Sequence, residues 1–80
     1  MVKRLVMFTF HEELLTEPII YNLGQQFHVV TNIRRADISE SKGWIVLELE
    51  GEEKEIEDGI AWVTSKGVRV NPVAGDIADG

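Results

Sequence analysis

The chain of 80 residues contains no cysteine, and this absence removes several kinds of site at once. Without thiols the chain carries neither a disulfide framework, nor a thiolate metal site, nor the ligands of an iron–sulfur cluster. A sequence without cysteine suits a reducing compartment, and we expect a cytoplasmic protein with no cofactor. Histidine is almost as scarce, because His11 and His28 are the only two and they do not stand at the spacing of a metal site.

Basic residues and long apolar runs are scarce as well. Eight Lys and Arg stand against 14 Asp and Glu, which gives a formal net charge of -6. Nucleic acids and anionic lipids are bound by cations that neutralise phosphates, so neither is an expected partner. The apolar opening of the chain is interrupted at Thr9 and again at the polar residues 11–13, before it reaches the length of a signal-peptide core or a membrane span. We therefore expect small molecules or proteins as partners, and no membrane insertion.

The length and the hydrophobic content of 44% indicate one small domain. A domain of this size buries only about 60 to 65% of its unfolded surface, so association with a second copy is a plausible source of stability. No arrangement of nucleophile, base and acid is visible in the sequence. We therefore expect a binding domain and not an enzyme.

The spacing of apolar residues predicts six elements in the order strand, helix, strand, strand, helix, strand. Thr16, as an N-cap, and Pro18 mark the start of the first helix. Pro72 removes a backbone donor and predicts that the last strand lies at a sheet edge. The predicted strands cover residues 2–10, about 28–38, 44–50 and 68–73, and the predicted helices cover about 16–27 and 52–67.

This order of elements predicts a ferredoxin-like α+β fold, βαββαβ. Right-handed crossovers place both helices on one face of a four-stranded antiparallel sheet, with the strand order 4-1-3-2. An apolar patch on the uncovered face of such a sheet indicates a subunit interface or a ligand site. The residues predicted to meet on that open face are Leu5, Met7, Trp44 and Val46. We assign residues 1–73 to the domain and 74–80 to a flexible acidic tail.

The second strand, Val29–Ile38, is unusually polar at its centre. It contains Asn32, Arg34, Arg35 and Asp37. If Ile33 faces the helices, strict alternation would bury Arg35 and expose Ile38. A β-bulge near Arg34 and Arg35 removes this conflict, and we therefore predict one there.

Three segments of the chain resemble a known family. They are N-I-R-R-A-D-I in the second strand, L-E-G after the third strand, and I-A-W-V-T-S-K-G-V-R-V through the second helix and last strand. With these segments the chain resembles the NIL domain over nearly its whole length. The family is named for an Asn-Ile-Leu motif, which Asn32 and Ile33 match, whereas Arg34 stands at the third position.

The resemblance implies a regulatory domain. NIL domains form the C-terminal part of methionine-importer ABC transporter ATPases, where paired domains bind methionine and inhibit transport; others are joined to ferredoxin-type iron–sulfur modules or occur alone. The family's motif asparagine falls on Asn32, and the apolar strand residue that lines the ligand falls on Ile38. The resemblance thus implies a homodimeric amino-acid-binding module, with methionine as the family's ligand. Since this chain has no ATPase and no cysteines, the module would act on a separate partner.

Each residue singled out in this way has a second interpretation. Asn32 either holds a ligand's carboxylate or ammonium group or satisfies a backbone group at a bulge. Arg34 offers a bidentate fork to a carboxylate, or is a solvated charge that protects a sheet edge. Trp44 lines an apolar slot for a ligand side chain, or contacts the second copy, and one interface allows both.

Other functions of this fold need features that the chain lacks. An RNA-recognition domain needs aromatic residues on the central strands and a positive surface. An acylphosphatase-like enzyme needs a phosphate-cradling loop with an arginine, whereas residues 11–18 are acidic and contain no glycine. The alternative that remains is an adaptor that docks on a transporter or a ferredoxin-type iron–sulfur protein without binding a small molecule.

Overall fold

A computed structural model of the chain describes residues 1–11, 17–39 and 41–73. The elements follow the predicted order. They are β1 Val2–His11, α1 Ile19–Gln26, β2 Val29–Ile38, β3 Lys42–Gly51, α2 Glu53–Ser65 and β4 Arg69–Pro72. Residues 74–80, predicted to be a flexible tail, and Thr16, the predicted N-cap, lie outside the described residues.

The four strands form one antiparallel sheet with the order β2-β3-β1-β4. This is the predicted order read from the opposite edge, and the ferredoxin-like α+β fold is confirmed. The two central strands pair over their whole length, from Val2 opposite Gly51 to His11 opposite Lys42. The two central strands are thus paired along their full length, and the two helices pack against one face of the sheet.

The hydrophobic core lies between this sheet and the two helices. Alternation along β1 directs Val6, Phe8 and Phe10 to the helix side, and the pairing register places Leu47 beside Val6 and Ile45 beside Phe8. The helices add Ile19 and Leu23 from α1, and Ile56 and Val63 from α2. Every one of these side chains is buried.

Helix α2 has the charge order that a helix macrodipole favours at its start, with Glu53 and Glu55 in the first turn. Lys54 donates a hydrogen bond to Asp58 at 3.0 Å, and this bond raises the pKa of Lys54. The helix ends before Gly67, whose φ of 97° is the left-handed conformation that glycine adopts at this position.

The side of α2 that faces the core includes a glycine. Ile56 and Val63 are fully buried, and Ile60 is half-buried and packs against the core. The third buried position is Gly59, where the absence of a side chain lets Leu23 of α1 approach. A Cβ at Gly59 would lie 2.8 Å from Leu23 Cδ1, so the two helices meet more closely than larger residues would allow.

Candidate functional site

Strand β2 carries the predicted bulge. Its register against β3 shifts between Ile33 and Arg35, and Arg34 is the extra residue. Ile33 pairs with Leu47, which faces the helices, and Arg35 pairs with Val46 on the other side of the sheet. The bulge therefore returns Ala36 and Ile38 to the helix side and keeps Arg35 on the open face, as the apolar pattern required.

The four residues predicted for the open face lie there. Met7 pairs with Val46, Trp44 pairs with Thr9, and Leu5 lies on the same face one pair further along. Leu5 and Val46 are nevertheless buried, at 9% and 4% exposure, and Met7 and Trp44 are half-buried. None of these four side chains is exposed, so the middle of this face presents little apolar surface to water.

On the open face, Glu48 of β3 is paired with Asn32 in the ladder and its carboxylate contacts Arg34. Asn32 lies directly opposite Glu48 in the β2–β3 ladder, and Arg34 Nη2 lies 3.4 Å from Glu48 Oε2. The Glu48 side chain is only 16% exposed, so the ion pair is partly shielded from water. Arg34 thus has an acceptor within its own chain, which is a use of the guanidinium that competes with a ligand carboxylate.

An apolar cavity lies on the other side of the sheet, between the start of α1 and the end of β2. Its volume is about 160 Å³. Phe10 and Ile45 of the central strands form its floor, and Ile38 forms the wall on the edge strand. The remaining lining residues come from the start of α1 and the turn before it: Glu17, Pro18, Ile19, Ile20 and Tyr21.

Within one copy of the chain, the residues predicted for the ligand site fall into separate places. Ile38 lines the cavity, whereas Asn32, Arg34 and Trp44 lie on the opposite face of the sheet. The alternation of strand side chains explains the separation, since the bulge puts Asn32 and Ile38 on different faces. The four residues do not form a single pocket.

The lining residues from the start of α1 were not predicted from the sequence. Residues 18–21 read as the first turn of a helix, and their apolar side chains read as core. One signal was available, because Tyr21 extends the apolar surface of the helix beyond its buried side, to which Ile19 and the partly buried Ile20 belong. Tyr21 is 66% exposed and lies at the rim of the cavity. Core packing alone does not explain an aromatic side chain that faces solvent at this position.

Exposed apolar side chains are concentrated on β2. Val30, Ile33 and Ile38 are 60%, 53% and 56% exposed. Val30 lies on the open face, while Ile33 and Ile38 lie on the helix side. Both faces of this edge strand therefore present surface that water solvates poorly.

The structure also bears on metal sites and on membrane-spanning helices. Over residues 1–11, 17–39 and 41–73, no group of three or more His, Cys, Asp or Glu side chains is placed to hold a metal ion. In the same described part of the chain, no helix is both long and apolar enough to cross a membrane.

The chain is similar to a known domain family and to a solved structure. The sequence model of the NIL domain family matches residues 4–72. Among solved structures, the C-terminal domain of an ABC transporter ATP-binding protein from Enterococcus faecalis is similar, with a TM-score of 0.79 and 25% sequence identity over 90% of this chain and 84% of that one. No curated protein matches the chain significantly. Because the family match spans both helices, all four strands and the bulged strand that carries Asn32 and Ile33, this chain belongs to the NIL domain family.

Proposed function

We propose that this domain is a regulatory module that binds an amino acid with an apolar side chain. The cavity beside Ile38 is the observation that carries the proposal. In this proposal the domain catalyses no reaction, acts as a pair of copies in the cytoplasm, and regulates a transporter ATPase. Membership of the NIL family and the similarity to a domain of an ABC transporter ATP-binding protein support the kind of partner.

The size and lining of the cavity support this class of ligand. An apolar cavity of about 150 Å³ accepts a molecule as large as benzene, and the cavity here has a volume of about 160 Å³. An unbranched side chain such as that of methionine is no larger, and a flexible thioether adapts well to an irregular apolar wall.

Glu17 supports an amino acid over a neutral apolar compound. It is the one charged residue among those that line the cavity in the described part of the chain, and it is exposed at the rim. A carboxylate there accepts hydrogen bonds from an ammonium group while the ligand's side chain enters the cavity. We therefore expect the ligand to need its free amino group for binding.

A second candidate is an adaptor that binds a transporter or a ferredoxin-type protein without a small molecule. The exposed apolar residues of β2 favour it, because such a surface suits a protein partner whether or not the cavity is filled. The two functions differ in one property, which is the effect of free amino acids on stability.

A thermal-denaturation screen against the free amino acids separates these functions. A ligand at a hundred times its dissociation constant adds about 2.7 kcal/mol to the free energy of unfolding, which raises the Tm of a domain this small by about ten degrees. We expect this shift with methionine or a similar apolar amino acid, and a much smaller one with the N-acetyl derivative, which lacks the ammonium group. If no amino acid raises the Tm, the adaptor remains.

A pair of variants on α1 tests the cavity itself. Tyr21→Ala removes an aromatic ring from the rim and should reduce the ligand-induced rise in Tm, because the ligand then buries less apolar surface. Gln25→Ala, at an exposed position one helical turn further that does not line the cavity, is the matched control and should keep the full rise. Equal rises in the two variants would place the ligand elsewhere.

A further inference from the structure

Gly43 interrupts the row of large apolar side chains that β3 directs toward the helices. The next residues on this side of the strand are Ile45, Leu47 and Leu49, and all of them belong to the core. Gly43 is also buried, although it has no side chain to contribute to that core. A glycine within a strand weakens it, and such a glycine often marks a place where a ligand or another group approaches closely. Gly43 therefore calls for a structural reason.

The backbone at Gly43 does not provide this reason. Among the described glycines, Gly67 is the one with a positive φ, so Gly43 has a conformation that other residues adopt freely. Gly43 pairs with Phe10 in the β1–β3 ladder and with Ile38 in the β2–β3 ladder, without a register shift at either pair. The reason therefore lies in the side chains that surround this position.

The sheet residues that line the cavity surround Gly43. Phe10 and Ile38 are its partners on the two neighbouring strands, and Ile45 is the next residue on the same face of β3. Directly opposed residues of an antiparallel pair have their Cβ atoms about 4.5 to 5.5 Å apart, so a side chain at position 43 would stand between Phe10 and Ile38. The floor of the cavity is therefore centred on the position of this group that has no side chain.

A larger residue at position 43 would make the cavity smaller. Gly43 is buried and does not itself line the cavity, so neighbouring side chains lie over it. Phe10 already packs edge to face against Phe8, with ring centroids 6.1 Å apart, so the core leaves no room on that side. A side chain added beneath Phe10 and Ile38 would therefore displace them into the empty space, which is the cavity.

We propose that Gly43 determines the length of the ligand side chain that the cavity accepts. This inference rests on the proposed function, in which the apolar side chain of an amino acid enters the cavity, and it assigns the selectivity for length to one residue. Each methylene that moves from water into an apolar site improves affinity about fourfold. In the wild type, affinity should therefore rise along the series 2-aminobutyrate, norvaline and norleucine, in which each side chain is one methylene longer than the last. A smaller cavity ends this rise earlier, because overpacking opposes the longer side chains.

Substitutions at Gly43 test this selectivity by isothermal titration calorimetry of the full chain with the same series and with methionine. Gly43→Val should weaken the binding of norleucine and methionine about tenfold or more, and should leave that of 2-aminobutyrate unchanged. Gly43→Ala is the milder change and should weaken only the longest ligands. Gly24→Ala is the matched control, because it adds the same methyl group at an exposed position outside the cavity and should keep the wild-type series.

Variants at Gly43 that bind the series as the wild type does overturn the inference and leave the proposed function intact. Benzene separates the opposite case, because it fits an apolar cavity of about 150 Å³ and has no amino group. If no amino acid binds the wild type, but benzene raises its Tm and raises that of Gly43→Val less, the role of Gly43 in cavity size stands and the proposed function fails. A wild type that responds to neither probe overturns both.

Discussion

At the scale of single residues, the structure distinguishes Gly24, which another residue can replace, from Gly51, which another residue cannot replace. Gly24 is exposed on α1, and a Cβ there would lie 3.6 Å from the nearest atom, the carbonyl oxygen of Val29. At Gly51 a Cβ would lie 2.6 Å from the carbonyl oxygen of His28. The backbone cannot move aside as a flexible side chain can, so only the second glycine is required for packing.

Gly24→Ala should therefore stabilise the domain, by about 1 kcal/mol, because alanine has the higher helix propensity and no contact opposes it. Gly51→Ala should destabilise it by about 1 to 3 kcal/mol, since the strand must shift to admit a methyl group. Urea denaturation measures both changes. A destabilising Gly24→Ala would mean that α1 and β2 approach more closely than the structure shows.

Asn32 offers a second test at this scale. Its side chain is exposed on the open face, and exposed polar substitutions usually change the free energy of unfolding by less than about 0.5 kcal/mol. The family resemblance implies that Asn32→Ala leaves the unliganded Tm nearly unchanged and abolishes the rise in Tm with ligand. Because Asn32 and the cavity lie on opposite faces of the sheet, a rise that persists in this variant would assign the ligand to the cavity alone. A large loss of unliganded stability would instead assign Asn32 a structural role at the bulge.

At the scale of elements, α2 is held to the sheet by apolar burial far more than by charge. Ile56 is fully buried beneath the helix. Arg4 of β1 reaches Glu53 and Glu57 of α2, with nitrogen to oxygen distances of 3.8 and 3.9 Å. Both carboxylates are well exposed, and exposed ion pairs contribute little because water and salt screen them.

Ile56→Ala should cost about 2 to 5 kcal/mol, from lost burial and the cavity left behind. Arg4→Ala should cost less than about 1 kcal/mol, and high salt should remove most of that difference. Denaturation in urea at low and high salt measures both. An Arg4 variant as unstable as the Ile56 variant would show that its alkyl stem, and not its charge, covers the core.

At the scale of the whole molecule, the helix layer covers one face of the sheet but stops short of the edge strand β2. Helix α1 has only 8 residues, so it leaves Ile33 and Ile38 of β2 uncovered and leaves the cavity between its first turn and the strand. The proposed ligand site therefore results from the short reach of α1.

The sequence by itself determined the order of the strands and helices, the faces of the sheet and the bulge near Arg34. Each follows from local alternation and from the need to keep charges out of the core. The same reasoning predicted Pro72 at a sheet edge, whereas Ile38 was proposed as a site residue from the family resemblance alone.

Only the tertiary structure decided what covers each face. Local spacing assigns a side chain to a face, but exposure depends on how far a helix from elsewhere in the chain extends over it. Hence Leu5 and Val46 are buried on a face that has no helix layer, whereas Ile33 and Ile38 are exposed on the face that has one. The cavity likewise arises from the distance between the start of α1 and the end of β2, a long-range relation that no local pattern encodes.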